Sequence, residues 1–170
     1  MIFPTDTVYG FLADATDKKA VDKIFEIKKR FKNEAIPIFI KDLKMAKKLA
    51  KINKKQEKFL KSGWPGKVTA VLERKKIKKN IYGIDKKTIA LRIPKYGLLI
   101  GLVGQPNRPL TGTSANISGQ PASTKIKEVI KQFQNKRPQP DLIVDAGNLK
   151  PSKPSRVVDL TKEKIKILRK

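Results

Sequence analysis

Four segments of the sequence concentrate hydroxyls, cations and turn residues: PTDTVYG at 4–10, IKKR at 27–30, WPGKVT at 64–69 and TGTSANISGQPAST at 111–124. A Ser-, Asn- and Gly-rich loop leading into a helix can present side-chain and backbone donors to phosphate, which makes the last segment a candidate nucleotide cradle. It lacks the GxxxxGK[ST] spacing of a P-loop, and no GxGxxG follows a strand, so Walker and Rossmann sites are disfavoured. Lys28 and Arg30 fall at the end of a helical pattern, where cations are common for the sake of the helix dipole alone. Their combination with the other three segments marks them as candidates. The chain has no cysteine and no histidine, which excludes disulfides, thiolate nucleophiles and every histidine-based triad. A zinc site would need carboxylates alone. Lysine, arginine, carboxylates and hydroxyls remain, and they suit catalysis by positioning and charge neutralisation.

Lysine and arginine number 40 against 15 acidic residues, a net charge of +25. A field of that size draws polyanions, so RNA, DNA or nucleotide phosphates are the natural partners. Lysine pairs at 18–19, 47–48, 54–55, 75–76 and 86–87 are dispersed, which also fits general decoration of exposed faces. Hydrophobic residues make up 39% of the chain in short periodic clusters, which argues for a globular protein of one domain over residues 1–170. The longest apolar stretches, such as residues 98–103, fall far short of a membrane span and the N-terminus lacks a signal-peptide layout, giving a cytoplasmic expectation.

The elements that must position these residues alternate in type. Ile2-Phe3 reads as a strand followed by a polar turn at Thr5-Asp6-Thr7. Apolar Ala20, Val21, Ile24, Phe25 and Ile27 predict a helix from Asp17, its N-cap, to Phe31. Residues 36–40 predict a short strand, and 43–60 a helix with a break near Asn53. Residues 68–72 and 88–93 are β-rich; 98–103, flanked by glycines, read as a buried helix or a strand. Ser123 or Thr124 is the expected cap of a helix reaching Phe133, followed by strands at 142–144, 157–158 and 165–168. The pattern is α/β, a sheet covered by helices, with antiparallel hairpins open among the late strands.

Taken in order, PTDTVYG, KxR, WPGxxT, RxP, SANxSG and PSxVVD resemble the YrdC-like family, over essentially the whole chain. That resemblance implies a twisted mixed sheet with flanking helices and a basic concave groove, in which ATP, L-threonine and bicarbonate yield threonylcarbamoyl-adenylate and pyrophosphate. The product would serve threonylcarbamoylation of tRNA adenosine through a downstream transferase complex, with Mg²⁺ accompanying ATP; direct contact to tRNA or double-stranded RNA is a further expectation. It implies that Lys28 and Arg30 are catalytic and, with Asn116, Thr88, Thr124 and Ser155, line the ATP site. It implies that Thr7, Arg92 and Ser114 surround threonine, and the planar fork of an arginine suits a carboxylate. Trp64-Pro65-Gly66 reads as a packed turn, with Lys67 beside it free to reach phosphate.

The chain departs from the family in starting at Met1-Ile2-Phe3, without the usual preceding helix and strand opening. Phe31, Glu34-Ala35 and Arg156 also replace more typical residues. A non-catalytic RNA- or nucleotide-binding protein of the same fold is the competing expectation. A carbamoyl-transfer domain of hydrogenase maturation proteins is a third, disfavoured by the absence of zinc-finger and acylphosphatase parts.

Overall fold

The computed structural model describes residues 1–78 and 80–170. It contains two sheets. The smaller has the order β1-β2-β7, from β1 (Ile2–Phe3), β2 (Gly10–Phe11) and β7 (Thr113–Ser114). The larger has the order β6-β3-β5-β4-β8-β9, from β3 (Ile38–Phe39), β4 (Val68–Glu73), β5 (Thr88–Arg92), β6 (Leu110–Thr111), β8 (Arg156–Asp159) and β9 (Lys166–Arg169). Its pairings are mixed: β4 runs antiparallel to β5 and parallel to β8, while β8 and β9 form an antiparallel hairpin. The expected α/β mixed sheet is present, and the antiparallel hairpin left open among the late strands forms between β8 and β9. Among the described residues no helix is long and apolar enough to cross a membrane.

Helix α1 (Lys18–Lys28) forms where the apolar spacing predicts it. Asp17 accepts a hydrogen bond from Ala20 N, and Val21, Ile24 and Phe25 line the buried face. Lys28, seven residues after Val21, continues that face, so helical periodicity itself carries its stem into the core. The helix stops at Lys28, short of the expected Phe31, because Lys29 takes a left-handed conformation (φ 51°) and Arg30 N bonds back to Phe25 O.

The expected break near Asn53 separates two helices, α2 (Leu43–Leu49) and α3 (Lys54–Gly63). Asn53 and Gln56 form a reciprocal capping box at the start of α3. Residues 98–103 lie within α4 (Gly97–Gly104), resolving that ambiguity toward helix. α5 (Ile126–Phe133) begins at Lys125 with no side-chain cap. Neither Ser123 nor Thr124 caps it: the Ser123 hydroxyl instead accepts from Lys125 N and donates to Glu128. Residues 142–144 make only an isolated parallel bridge, Ile143 to Ile2, too short for the expected strand.

Two apolar clusters hold the sheets. One, around Ile38, Ala70, Leu72, Leu91 and Leu99, lies under the large sheet; the other, around Tyr9, Phe11, Phe25, Val129 and Phe133, packs α1 and α5 on the small one. The chain crosses between sheets at Gly112, from β6 to β7. A Cβ there would lie 2.8 Å from the Phe39 ring, so only glycine lets the crossing strand pass this close.

Candidate active site

The seam between the two sheets encloses a cavity of about 300 Å³, lined by Thr5, Thr7, Arg30, Phe39, Arg92, Ser114, Ser155 and Arg169 among others. Its floor is the exposed face of the large sheet. In β4 and β5 alternate side chains point the same way, so the cross-strand pair Val71–Ala90 faces the cavity while Ala70 and Leu91 face the core. The same alternation delivers Arg92 to the cavity side, two residues beyond Ala90.

Arg92 is almost fully buried and heavily bonded. Its Nη2 meets Asp6 Oδ1 at 2.7 Å, its Nε donates to Gly66 O at 2.9 Å, and its Nη1 lies 3.4 Å from Thr7 Oγ1. Its guanidinium also sits over the Phe39 ring, 5.6 Å from the centroid. Burial lowers its pKa and the Asp6 carboxylate opposes that shift; an arginine keeps its charge regardless. The second oxygen of Asp6 accepts from Lys95 N at 3.0 Å, so this carboxylate ties the turn after β1 to the loop after β5. Trp64 is packed as expected, its Nε1 donating to Val68 O at 2.7 Å. The turn it anchors matters to the cavity through Gly66 O, an acceptor for Arg92. Lys67 is engaged with Ser152 Oγ at 2.8 Å.

Lys28 is 2% exposed and does not line the cavity. Its ammonium donates to Ser114 O at 2.6 Å, Asn116 O at 2.7 Å and Asn116 Oδ1 at 3.2 Å, which uses its three donors. Desolvation first, and the Arg30 charge second, push its pKa down to about 7. The Asn116 amide nitrogen bonds Ile117 O and Gln120 O, and Gln132 of α5 takes Ile117 N and reaches Pro121 O. Lys28 and Asn116 therefore brace the 114–120 loop from behind and leave Ser114 at the cavity wall.

Arg30, swung outward by the left-handed turn at Lys29, does line the cavity. It donates to Glu34 O and Ala35 O, each at 3.1 Å, and lies 3.4 Å from the Glu34 carboxylate. Glu34 thus sits as a counter-ion to Arg30, while Phe31 is 75% exposed to solvent and Arg156 is exposed in β8. Ser155 is buried against Thr69, their hydroxyls 2.8 Å apart.

Of the residues singled out from sequence, Thr7, Arg30, Arg92, Ser114 and Ser155 meet at this cavity, and Lys28 and Asn116 stand one layer behind. Thr88 and Thr124 are not among its lining residues. The Thr88 hydroxyl donates to Asp85 Oδ1, and the residue lines a separate cavity with Lys51, Lys75 and Lys87; the Thr124 carbonyl accepts Leu149 N. Two residues that their types and spacing did not single out also act at this cavity. One is Asp6, which does not line it but holds Arg92 from behind. The other is Arg169, whose Nη2 donates to Ser155 O at 2.7 Å and whose guanidinium pKa burial lowers. A signal for Arg169 existed: only seven of the forty cations are arginine, and three of those, Arg30, Arg92 and Arg169, line this one cavity.

A mixed α/β sheet here gathers three guanidiniums and several hydroxyls around one cleft, donors whose chemistry suits an anion. The chain belongs to the Sua5/YciO/YrdC family, whose model, described as "Telomere recombination", matches residues 1–170. It is 36% identical over 160 residues to a threonylcarbamoyl-AMP synthase of Pyrococcus abyssi, covering 94% of this chain and 46% of that protein. A putative threonylcarbamoyl-AMP synthase of Methanocaldococcus jannaschii is 35% identical over 167 residues, covering 97% of this chain and 76% of the relative. The structure of P. abyssi Sua5 complexed with L-threonine superposes with a TM-score of 0.86 at 33% identity, over 99% of this chain and 49% of that one. The chain thus spans about half the length of the P. abyssi protein.

Proposed function

We propose that this chain is an L-threonylcarbamoyladenylate synthase, a nucleotidyltransferase that converts ATP, L-threonine and bicarbonate to threonylcarbamoyl-AMP and pyrophosphate. The observation that carries the reading is the convergence of Arg30, Arg92 and Arg169 on one hydroxyl-lined cavity in a chain of this family. Threonine amine and bicarbonate condense to a carbamate with loss of water. The carbamate oxygen then attacks the α-phosphorus of ATP, the bond to the β-phosphate oxygen breaks, and pyrophosphate leaves. No protein nucleophile is required. The protein must hold the attacking oxygen, phosphorus and leaving group in line and neutralise the phosphates.

Arg92 suits the threonine carboxylate: with Nη2 on Asp6 and Nε on Gly66, its Nη1 beside Thr7 is the part of the fork with donor capacity to spare. Thr7 and Ser114 supply hydroxyls around the same substrate. Arg30, Arg169 and Ser155 serve the phosphates, with Mg²⁺ arriving on ATP. Lys28 acts through the Ser114–Asn116 loop, which it braces, and Asn116 shapes that loop. In this reading the protein works in the cytoplasm, and its product passes to a transferase acting on tRNA. The +25 charge favours contact with that RNA as well.

The test is pyrophosphate release by the purified protein, with threonine and bicarbonate each omitted in turn and an Arg30→Ala variant alongside. Release that needs both co-substrates and is lost in the variant supports the synthase. A folded, ATP-binding protein that releases none under any condition is instead a nucleotide- or RNA-binding relative of the enzymes.

A further inference from the structure

The six-stranded sheet ends on β9, and among the described residues no strand pairs with its outer edge. All four β9 residues are exposed. Ile165, Ile167 and Leu168 each leave about half their surface in water, at 47%, 48% and 51%. Ile167 lies opposite Val158, which is fully buried, so it stands on the core-facing side of the sheet at a point where the covering layer gives out. Beside it a groove of about 710 Å³ runs between α3 and the β8–β9 hairpin, with Phe59, Leu160 and Ile165 among its lining residues. An unpaired edge and an adjoining apolar groove are the two parts that β-strand addition uses: backbone bonds along the edge, and pockets for alternate side chains.

The charge around this surface selects the occupant. Lys55, Lys58 and Lys162 line the groove, and Lys164, Lys166 and Lys170 follow along or beside β9. None of the six forms an ion pair among the described residues, and the nearby Glu57 is taken by Lys47 and Lys61, at 2.7 and 2.9 Å. Among the described residues, Glu163 is the one carboxylate in the groove lining. A second copy of a +25 chain would bring like charge against this rim, so edge-to-edge self-pairing is opposed. An acidic segment finds the reverse.

We propose that β9 and the groove beside α3 form a docking surface for an extended acidic segment of a partner protein. The segment adds a strand to the open edge, with apolar side chains over Phe59, Ile165 and Ile167 and carboxylates against the lysines. Docking there bears on the cleft too, because Arg169 of the same strand holds Ser155.

The experiment is a titration of the ¹⁵N-labelled 170-residue protein with a synthetic ten-residue peptide of alternating valine and glutamate, followed by amide shifts. Expected are saturable shifts confined to α3, residues 160–165 and β9, absent with a valine–lysine peptide. Binding should weaken about tenfold in Ile167→Glu, which removes an apolar contact and adds like charge. Lys166→Glu, which leaves the apolar surface intact, should weaken it as well. No saturable shift, binding undiminished from the parent's in both variants, or shifts centred on residues 74–76 and 86–87 would overturn the proposal. So would a dimer formed through β9 in sedimentation of the free protein.

Discussion

Replacing Asp6 by alanine should cost far more than removal of a turn residue normally does. The Asp6 and Arg92 side chains are 8% and 4% exposed and meet at 2.7 Å, and the second Asp6 oxygen holds Lys95 N. Breaking a buried pair from one side strands the other charge, at a cost of about 3–5 kcal/mol. For a protein of this size each kcal/mol moves the melting temperature by about 2–4 °C, so Asp6→Ala should melt roughly 6–20 °C below the parent. Arg92→Met strands the Asp6 carboxylate and should fall in the same range. The double variant removes both charges and should lose less than the sum of the singles by about 2 kcal/mol or more. Urea unfolding followed by circular dichroism gives all four corners of this cycle. Singles costing under about 1 kcal/mol, or strict additivity, would refute the view that the cleft is organised by a buried, mutually dependent pair.

The buried Lys28 makes stability depend on pH. Its folded-state pKa of about 7 lies below the ordinary 10.5, so between those values the unfolded chain binds the extra proton and stability rises with pH. Lys28→Met should remove that rise, as urea midpoints at pH 6.5 and 9.5 will show; an unchanged slope would count against the buried ammonium. Arg169→Ala, at an exposed strand, should leave melting within a few degrees yet weaken ATP binding by about tenfold or more in calorimetry, the scale of a lost charge-assisted contact. Unchanged ATP affinity would remove Arg169 from the proposed phosphate site. Gly112→Ala drives a methyl to 2.8 Å from the Phe39 ring and should cost about 1–3 kcal/mol, partly recovered in combination with Phe39→Leu. Equal losses with and without the second change would place the strain elsewhere.

Much of this protein is determined by spacing along the chain. The buried face of α1, its Asp17 cap, the capping box that starts α3 and the alternation in β4 and β5 are all short-range, and short-range periodicity is what a sequence displays directly. The missing histidine and cysteine limited the chemistry before any contact was known, and the ordered motifs pointed to the family. Local patterns failed where backbone geometry overrode them: α1 ends three residues early on a left-handed Lys29, and residues 142–144, apolar enough for a strand, find a single bridge. The site itself was decided by tertiary structure. Asp6 and Arg92 are 86 residues apart, as are Lys28 and Ser114, while Arg169 reaches the cleft only because β9 closes the hairpin that carries Ser155. Whether a lysine faces phosphate or spends its donors on a loop depends on which carbonyls the crossing at Gly112 brings to it. Sheet order sets that arrangement, and no local spacing encodes it.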